Sequence, residues 1–383
     1  MTSLLVGGIS LLGELTGIGR CTFEVTRRLA ASGGMNLSFY YGYISSKLRT
    51  SLEGEGISGS LSLAKSRISR MSSVKKCVRS LCEAATRFHP GRFDVYWEPN
   101  LAPLPVLSGK SRSVAATVPD FSWLLHPEWH PKERVEHFQR AFPRMLPRID
   151  RIITYSAYIR DEAVALFGLD PSRIEVIPNG VDTSLFHPYP PEETETFRRE
   201  RALPDRFVLF AGTLEPRKNV VRVIEAFRRL PAPVRAECSL VLAGAKGWRD
   251  SEILDLVRDS GASVMHLGYV TYRELAYLYS LAEVFVFPSL YEGFGLPPLE
   301  AMACGAPVVS SGAASLPEVC GDAVLYADPE DADSIAGALL RILEDRSLGE
   351  RLAEAGFRRS ALFSWDACAS HHEKLFLTLA GSR

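Results

Sequence analysis

The sequence predicts an α/β protein made of two Rossmann-like, doubly wound domains that face each other across a cleft, and three observations carry that expectation. The chain has 383 residues, more than one ordinary core fills, so two domains of roughly 150–200 residues are the natural division. Short apolar runs alternate with longer segments of helical period, and the scheme is gone through twice. Between the two runs lies a turn-rich and proline-rich passage, Ile177-Pro178-Asn179-Gly180-Val181-Asp182 followed by Pro188, Pro190 and Pro191, which suits a linker.

In the first half the apolar runs Leu4–Ile9, Leu37–Tyr41, Phe93–Trp97, Val114–Val118 and Ile152–Tyr155 read as strands. In the second half the pattern is cleaner: Phe207–Ala211, Ser239–Ala243, Val264–Leu267, Val284–Phe287 and Pro307–Ser310 are strands, with helices beginning near Asn219, Ser251, Thr271 and Pro297. Alternation of this kind implies parallel sheets with helices on both faces, and ligands then bind at the carboxyl ends of the strands. Two such sheets facing each other place that binding in the cleft.

Composition agrees with a folded globular chain: 46% hydrophobic, 23% charged and a net charge of −1. A nucleic-acid partner is not expected. The first apolar stretch, Ser3 to Leu12, holds two glycines, has no basic residue before it and ends at Glu14. It reads as a buried strand rather than a membrane span or signal peptide, which predicts a cytoplasmic protein. The seven cysteines are scattered and form no C-x-x-C pair, so reduced core thiols are expected rather than disulfides or zinc. One asymmetry stands out: residues 60–92 carry eight basic residues, Lys65 to Arg92, against the single acid Glu83. Apolar residues interleave there at helical spacing, and two readings stand, a helix lying on an anionic membrane surface or a solvated surface helix.

Three motifs carry chemistry. Gly17-Ile18-Gly19-Arg20 follows the first strand and precedes a helical segment, where bare backbone N–H groups can meet an anion; a tight strand-to-helix turn is the other reading. Thr22 stands where the dinucleotide fingerprint wants a third glycine, which disfavours a nicotinamide cofactor. Next, Gly212-Thr213-Leu214-Glu215-Pro216-Arg217-Lys218-Asn219 follows a strand and opens a helix. Two cations at a helix start oppose the macrodipole unless an anion compensates them, and a diphosphate would do so; two solvated charges are the alternative. The most specific motif is Tyr291-Glu292-Gly293-Phe294-Gly295-Leu296-Pro297-Pro298-Leu299-Glu300. Its glycines open the backbone, Pro297 is placed to begin a helix, and Glu300 lies one turn inside it. Glu292 at the loop mouth suits sugar hydroxyls, and Glu300 suits the paired hydroxyls of a ribose.

Taken together, these residues resemble the retaining glycosyltransferases of family 4, which have the two-domain GT-B fold, and among them most resemble bacterial mannosyl- and rhamnosyltransferases of surface polysaccharide synthesis. The likeness covers nearly the whole chain: Thr16 to Arg20, Pro178 to Asp182, the Arg217-Lys218-Asn219 triplet, Gly268 to Tyr279, and the E-x7-E pattern from Glu292 to Glu300 continuing into Ala301-Met302-Ala303-Cys304-Gly305. The resemblance implies an N-terminal, acceptor-binding domain over 1–184, completed by a C-terminal helix within 362–383 that crosses back to it, and a nucleotide-sugar-binding domain over 185–361. It implies that Arg217 and Lys218 bind the donor diphosphate, with Gly212 before them and the loop of Gly17 and Gly19 covering it. Glu292 with Gly293, Phe294, Gly295 and Leu296 would hold the donor hexose, Glu300 the ribose, and Val270 and Leu275 would flank the nucleobase. The expected reaction is transfer of a hexose of mannose or rhamnose type, with retention, from a nucleotide-sugar, GDP-linked at first choice, to a growing and possibly lipid-linked polysaccharide. Positive potential from Arg217, Lys218 and helix N-termini would stabilise the leaving diphosphate. No metal and no cofactor is then expected beyond the co-substrate, and Asp331-Ala332-Asp333 is read as a helix cap.

One departure from the family pattern matters. Many relatives carry a His-Asp pair after the strand Val114–Val118, whereas this chain has Pro119-Asp120. Three readings stand: Asp120 alone contacts the donor sugar or acceptor, which is the favoured one and makes Asp120 a candidate catalytic residue; nearby His126 substitutes; or activity is lost. His126 and His130 are spaced four apart, but Pro127 occupies the place a zinc-peptidase glutamate requires. Trp123 and Trp129 either stack on a sugar or fill the core. A non-catalytic nucleotide-sugar-binding subunit and a sugar-nucleotide epimerase are the alternative functions; the second lacks an evident acid–base pair.

Overall fold

The computed structural model describes residues 1–12, 17–49, 84, 86–247 and 251–382. A seven-stranded sheet comprises β1 (Thr2–Gly7), β2 (Met35–Tyr40), β3 (Ile44–Ser45), β4 (Phe93–Glu98), β5 (Ser111–Thr117), β6 (Arg151–Thr154) and β7 (Ile174–Val176), in the order β3-β2-β1-β4-β5-β6-β7. A six-stranded sheet comprises β8 (Phe207–Ala211), β9 (Ser239–Ala243), β10 (Val264–Gly268), β11 (Val284–Phe287), β12 (Val308–Ser311) and β13 (Leu325–Ala327), in the order β10-β9-β8-β11-β12-β13. Every pairing is parallel except that of β2 with β3. Runs such as Leu4-Leu5-Val6 and Val284-Phe285-Val286-Phe287 are apolar at every position because both faces of the sheet are covered, and all of these side chains are fully buried.

Strand order reverses between β1 and β4 in the first sheet and between β8 and β11 in the second. At such a switch point the loops leaving adjacent strands diverge to opposite faces and open a crevice. The loop after β8 carries Gly212 to Asn219, and the loop after β11 carries Tyr291 to Gly295. Two of the three motifs thus share one crevice.

Six helices position the site. Helix α1 (Gly17–Ser32) follows β1. Helix α2 (Ala157–Phe167) starts at Ser156, whose hydroxyl accepts from the Ile159 amide, and stops at left-handed Gly168. Helix α3 (Val220–Arg229) begins after Asn219, α4 (Tyr272–Leu281) after a Thr271/Glu274 capping box, and α5 (Leu296–Ala303) after Gly295. Helix α6 (Trp365–Gly381) packs on α1 and on β4, where Trp97 meets His372 and Phe376 with ring centroids 5.1 and 5.5 Å apart. The C-terminal helix therefore crosses back to the first sheet, as expected. Gly180 lies where this returning chain passes the first crossover: a Cβ there would sit 2.1 Å from the Trp365 nitrogen, so only glycine fits.

The differences from the sequence reading are local. β1 ends at Gly7 rather than running to Ile9, because Gly8 sits against the Tyr41 ring and the chain turns into a short 3₁₀ segment, Ile9–Leu11. β3, β7 and β13 have only two or three residues each, too few for periodicity to mark them. The basic stretch at 60–92 falls largely outside the described residues, as do Thr16, Cys77 and Cys82. The other five cysteines are free and buried. No helix among the described residues is long and apolar enough to cross a membrane.

Candidate active site

The crevice of the second sheet gathers five charged side chains from three loops. Arg217 and Lys218 lie in a 3₁₀ turn, Pro216–Lys218, immediately after the β8 loop. Glu292 comes from the β11 loop and is buried. One of its carboxylate oxygens accepts from Arg217 Nη1 at 2.9 Å; the other accepts from Lys218 Nζ at 2.5 Å and from Ser289 Oγ at 2.6 Å. Glu215 takes the remaining edge of the Arg217 guanidinium, accepting from Nη2 at 2.9 Å and Nε at 3.1 Å. Asp120, half-buried at the end of the loop after β5, adds a further negative charge facing Arg217.

Burial opposes ionisation of Glu292, but the Arg217 and Lys218 charges and the hydrogen bonds to its carboxylate outweigh it and hold its pKa down at about 2. Burial likewise disfavours the Arg217 cation, and Glu292, Glu215 and Asp120 more than restore it. The cation pair is therefore already compensated, which corrects the expectation that an external anion must balance Arg217 and Lys218 at the helix start. Left-handed Asn219 also separates them from α3, so they precede the helix rather than open it. A diphosphate entering the crevice would have to share or displace the Glu292 carboxylate.

The Glu292 loop is held by its backbone. Ser315 Oγ donates to the carbonyls of Glu292 at 2.8 Å and Phe294 at 3.0 Å, and Ser156 Oγ donates to that of Gly293 at 3.0 Å. Gly293 abuts the first half so closely that a Cβ would lie 1.8 Å from the Pro119 carbonyl oxygen. Pro119, the departure from the family pattern, thus sits directly against the Glu292 loop. Asp120 beside it accepts from Ser122 N at 2.9 Å and Ser122 Oγ at 2.6 Å, and Ser122 Oγ is 2.8 Å from His130 Nε2. His126 stacks on Trp129 with centroids 3.8 Å apart, while Trp123 is buried in the aromatic cluster around Phe121, Phe138 and Phe142.

Glu300 lies on the second face of the motif, in α5, and is buried. It pairs with Arg20 of α1, whose guanidinium lies 4.8 Å from the Phe186 ring centroid and 4.4 Å from that of Tyr272. Burial pushes the Glu300 carboxyl up to about 7 against the pull of Arg20. Gly17 lies opposite Leu296, with a virtual Cβ 3.9 Å from Leu296 Cδ1, so the first-strand loop reaches the E-x7-E segment. Gly19 is buried, Phe294 packs edge-on to Phe363 at 5.7 Å, and Gly295 takes φ of 117°. Val270 and Leu275 are half-buried and pack against the large core cluster that runs through both halves. Gly212 donates to the Ala243 carbonyl at 2.9 Å. Asp331 accepts from the Asp333 amide at a helix start, so the D-x-D acts as a cap. In the sequence Glu215 and Arg20 are marked only by position, two before Arg217 and one after Gly19.

Two facing α/β halves, parallel but for the β2–β3 pair, with a charged crevice at the strand ends define the class of two-domain Rossmann-like proteins, whose ligands bind at that crevice. Residues 15–185 match the family described as Glycosyltransferase Family 4 and residues 192–359 that described as Glycosyl transferases group 1. The O-antigen chain mannosyltransferase B of Escherichia coli is 34% identical over 368 residues, 93% of this chain and 94% of that protein. The serotype-specific mannosyltransferase WbdA of Escherichia coli is 35% identical over 223 residues, 57% of this chain and 27% of its own length. In fold, a sucrose-phosphate synthase from Thermosynechococcus elongatus superimposes with a TM-score of 0.72 at 20% identity, covering 100% of both chains. This chain belongs to the family 4, group 1 glycosyltransferases, with the GT-B fold.

Proposed function

We propose that the protein is a mannosyltransferase that extends a bacterial surface polysaccharide, taking mannose from a GDP-linked donor with retention and without a divalent cation. The observation that carries this reading is the Arg217–Lys218–Glu292 cluster at the switch point of the second sheet. The full-length likeness to an O-antigen mannosyltransferase supports the choice of sugar.

In the proposed reaction the bond from the anomeric carbon to the β-phosphate oxygen breaks and one to an acceptor hydroxyl oxygen forms on the same face. The acceptor proton passes to the departing phosphate oxygen. Arg217 and Lys218 stabilise the charge that develops on the diphosphate, already fixed in place before the reaction begins. Glu292, relieved of part of its ion pairing, orients the hexose; Asp120 faces donor or acceptor from the opposite wall. Glu300 takes the ribose hydroxyls. Residues 60–92 serve as an anionic-membrane contact on the cytoplasmic side, where the acceptor is lipid-linked.

The test is turnover of GDP-mannose in EDTA with purified O-antigen intermediates as acceptors, the product anomer being read by NMR. Retained α-linkage and full activity in chelator are expected. An inverted product or a strict magnesium requirement would contradict the mechanism, and exclusive use of another nucleotide-sugar would contradict the donor.

A further inference from the structure

Tyr291, the residue before Glu292, belongs by its side chain to the wrong half of the molecule. Its ring is buried in the apolar cluster of Phe121, Trp123, Phe138 and Phe142 beneath the first sheet, and among the described residues it is the sole buried member of that cluster from beyond Ile174. The Tyr291 hydroxyl accepts from the Phe121 amide at 3.2 Å and donates to the Glu162 carboxylate on α2. Its backbone stays with the second half: the carbonyl accepts from Arg217 Nη1 at 3.0 Å, the same nitrogen that binds Glu292.

One residue therefore ties the docking of the two halves to the placement of the cation pair. The contacts around it run in the same sense. The Pro119 carbonyl presses on Gly293, Ser156 holds the Gly293 carbonyl, and Glu318 of the second half accepts from the amides of Ala157 and Tyr158 at 2.8 and 2.6 Å, at the start of α2. The Tyr291–Glu162 bond joins the side chain of this loop to helix α2 of the first half. Burial raises the Glu162 carboxyl and the Tyr291 phenol alike, so the phenol stays a donor at neutral pH.

We infer that Tyr291 is a positioning residue: its insertion into the first half fixes the Arg217–Glu292 geometry only when the two halves are closed, so that the catalytic arrangement is completed by closure. This rests on the glycosyltransferase reading of the crevice. Without the Tyr291 contacts the second half still binds a nucleoside diphosphate, but the halves no longer hold the donor loop in register.

Two measurements on Tyr291→Phe and Glu162→Gln test the inference. Hydrogen exchange of the ligand-free protein needs no substrate: faster exchange confined to residues 119–122 and 289–295 is expected, and unchanged exchange there overturns the docking role. In GDP-mannose turnover, kcat is expected to fall roughly tenfold or more, with GDP affinity and the donor KM within about threefold of wild type. Parallel loss of GDP affinity and thermal stability would mark a merely structural residue and overturn it. If the wild type neither binds nor turns over GDP-mannose, the donor reading fails, while the exchange result still decides the docking role.

Discussion

At the scale of single residues, Glu292 is the balance point of the crevice: one carboxylate satisfies both Arg217 and Lys218. Glu292→Gln leaves Lys218 without its carboxylate and Arg217 facing only Glu215 and Asp120, so the ligand-free protein should lose about 2–4 kcal/mol of stability in chemical denaturation. GDP should restore much of that loss, because the freed cations bind the diphosphate more strongly, and transfer should fall at least about a hundredfold. Weaker GDP binding in this variant would show that Glu292 does not compete with the phosphates. Glu300 gives a separate signature. Its folded pKa of about 7 stands above the ordinary glutamate value, so the stability it contributes is complete at low pH and lost as pH rises through about 7. Glu98, half-buried against Gly7, is pushed up to about 7 in the same way. Glu300→Gln should remove one of these two contributions, on the order of 3 kcal/mol, from the decline between about pH 5 and 8. An unaltered pH profile of the unfolding midpoint would mean that Arg20 keeps Glu300 ionised throughout.

At the scale of elements, long periodic segments were legible and contacts between distant segments were not. The five strands read in each half and the helix starts near Asn219, Ser251, Thr271 and Pro297 stand, because apolar alternation and cap residues are local signals. β3, β7 and β13 leave no trace in the sequence because two or three residues carry no period. The ion-pair partners Glu215 for Arg217 and Arg20 for Glu300 escaped because nothing in the chain order announces a pairing such as that of residues 20 and 300. Gly180 is an intermediate case: a turn was legible, but not that the turn touches the chain entering α6. Gly180→Ala should cost about 2–4 kcal/mol in denaturant titrations, through displacement of Ser364 and Trp365. A loss below about 0.5 kcal/mol would show that the crossover yields freely.

At the scale of the whole molecule, the two sheets are joined by more than their linker. Helix α6 returns to the first sheet, Arg20 pairs with Glu300, Glu318 caps α2, and Tyr291 plugs the first-half cluster. These contacts bring Pro119 and Asp120 against the Glu292 loop. The family membership was legible because the motifs are contiguous and ordered, whereas the compensation of the cations, made within the second half by Glu215 and Glu292 with Asp120 of the first half facing Arg217, is a matter of tertiary contacts. Chemistry at such a site depends on closure as much as on the side chains that line it.

The central claim is that Arg217 and its neighbours hold a nucleoside diphosphate at the switch point of the second sheet. Calorimetric titration of GDP, UDP and ADP in EDTA, on the wild type and on Arg217→Met, addresses it most directly. The account predicts that GDP binds best and that Arg217→Met weakens it by roughly tenfold or more, about 1.4 kcal/mol. Equal GDP affinity in the two proteins would contradict the placement of the phosphates and, with it, the active site described for this fold.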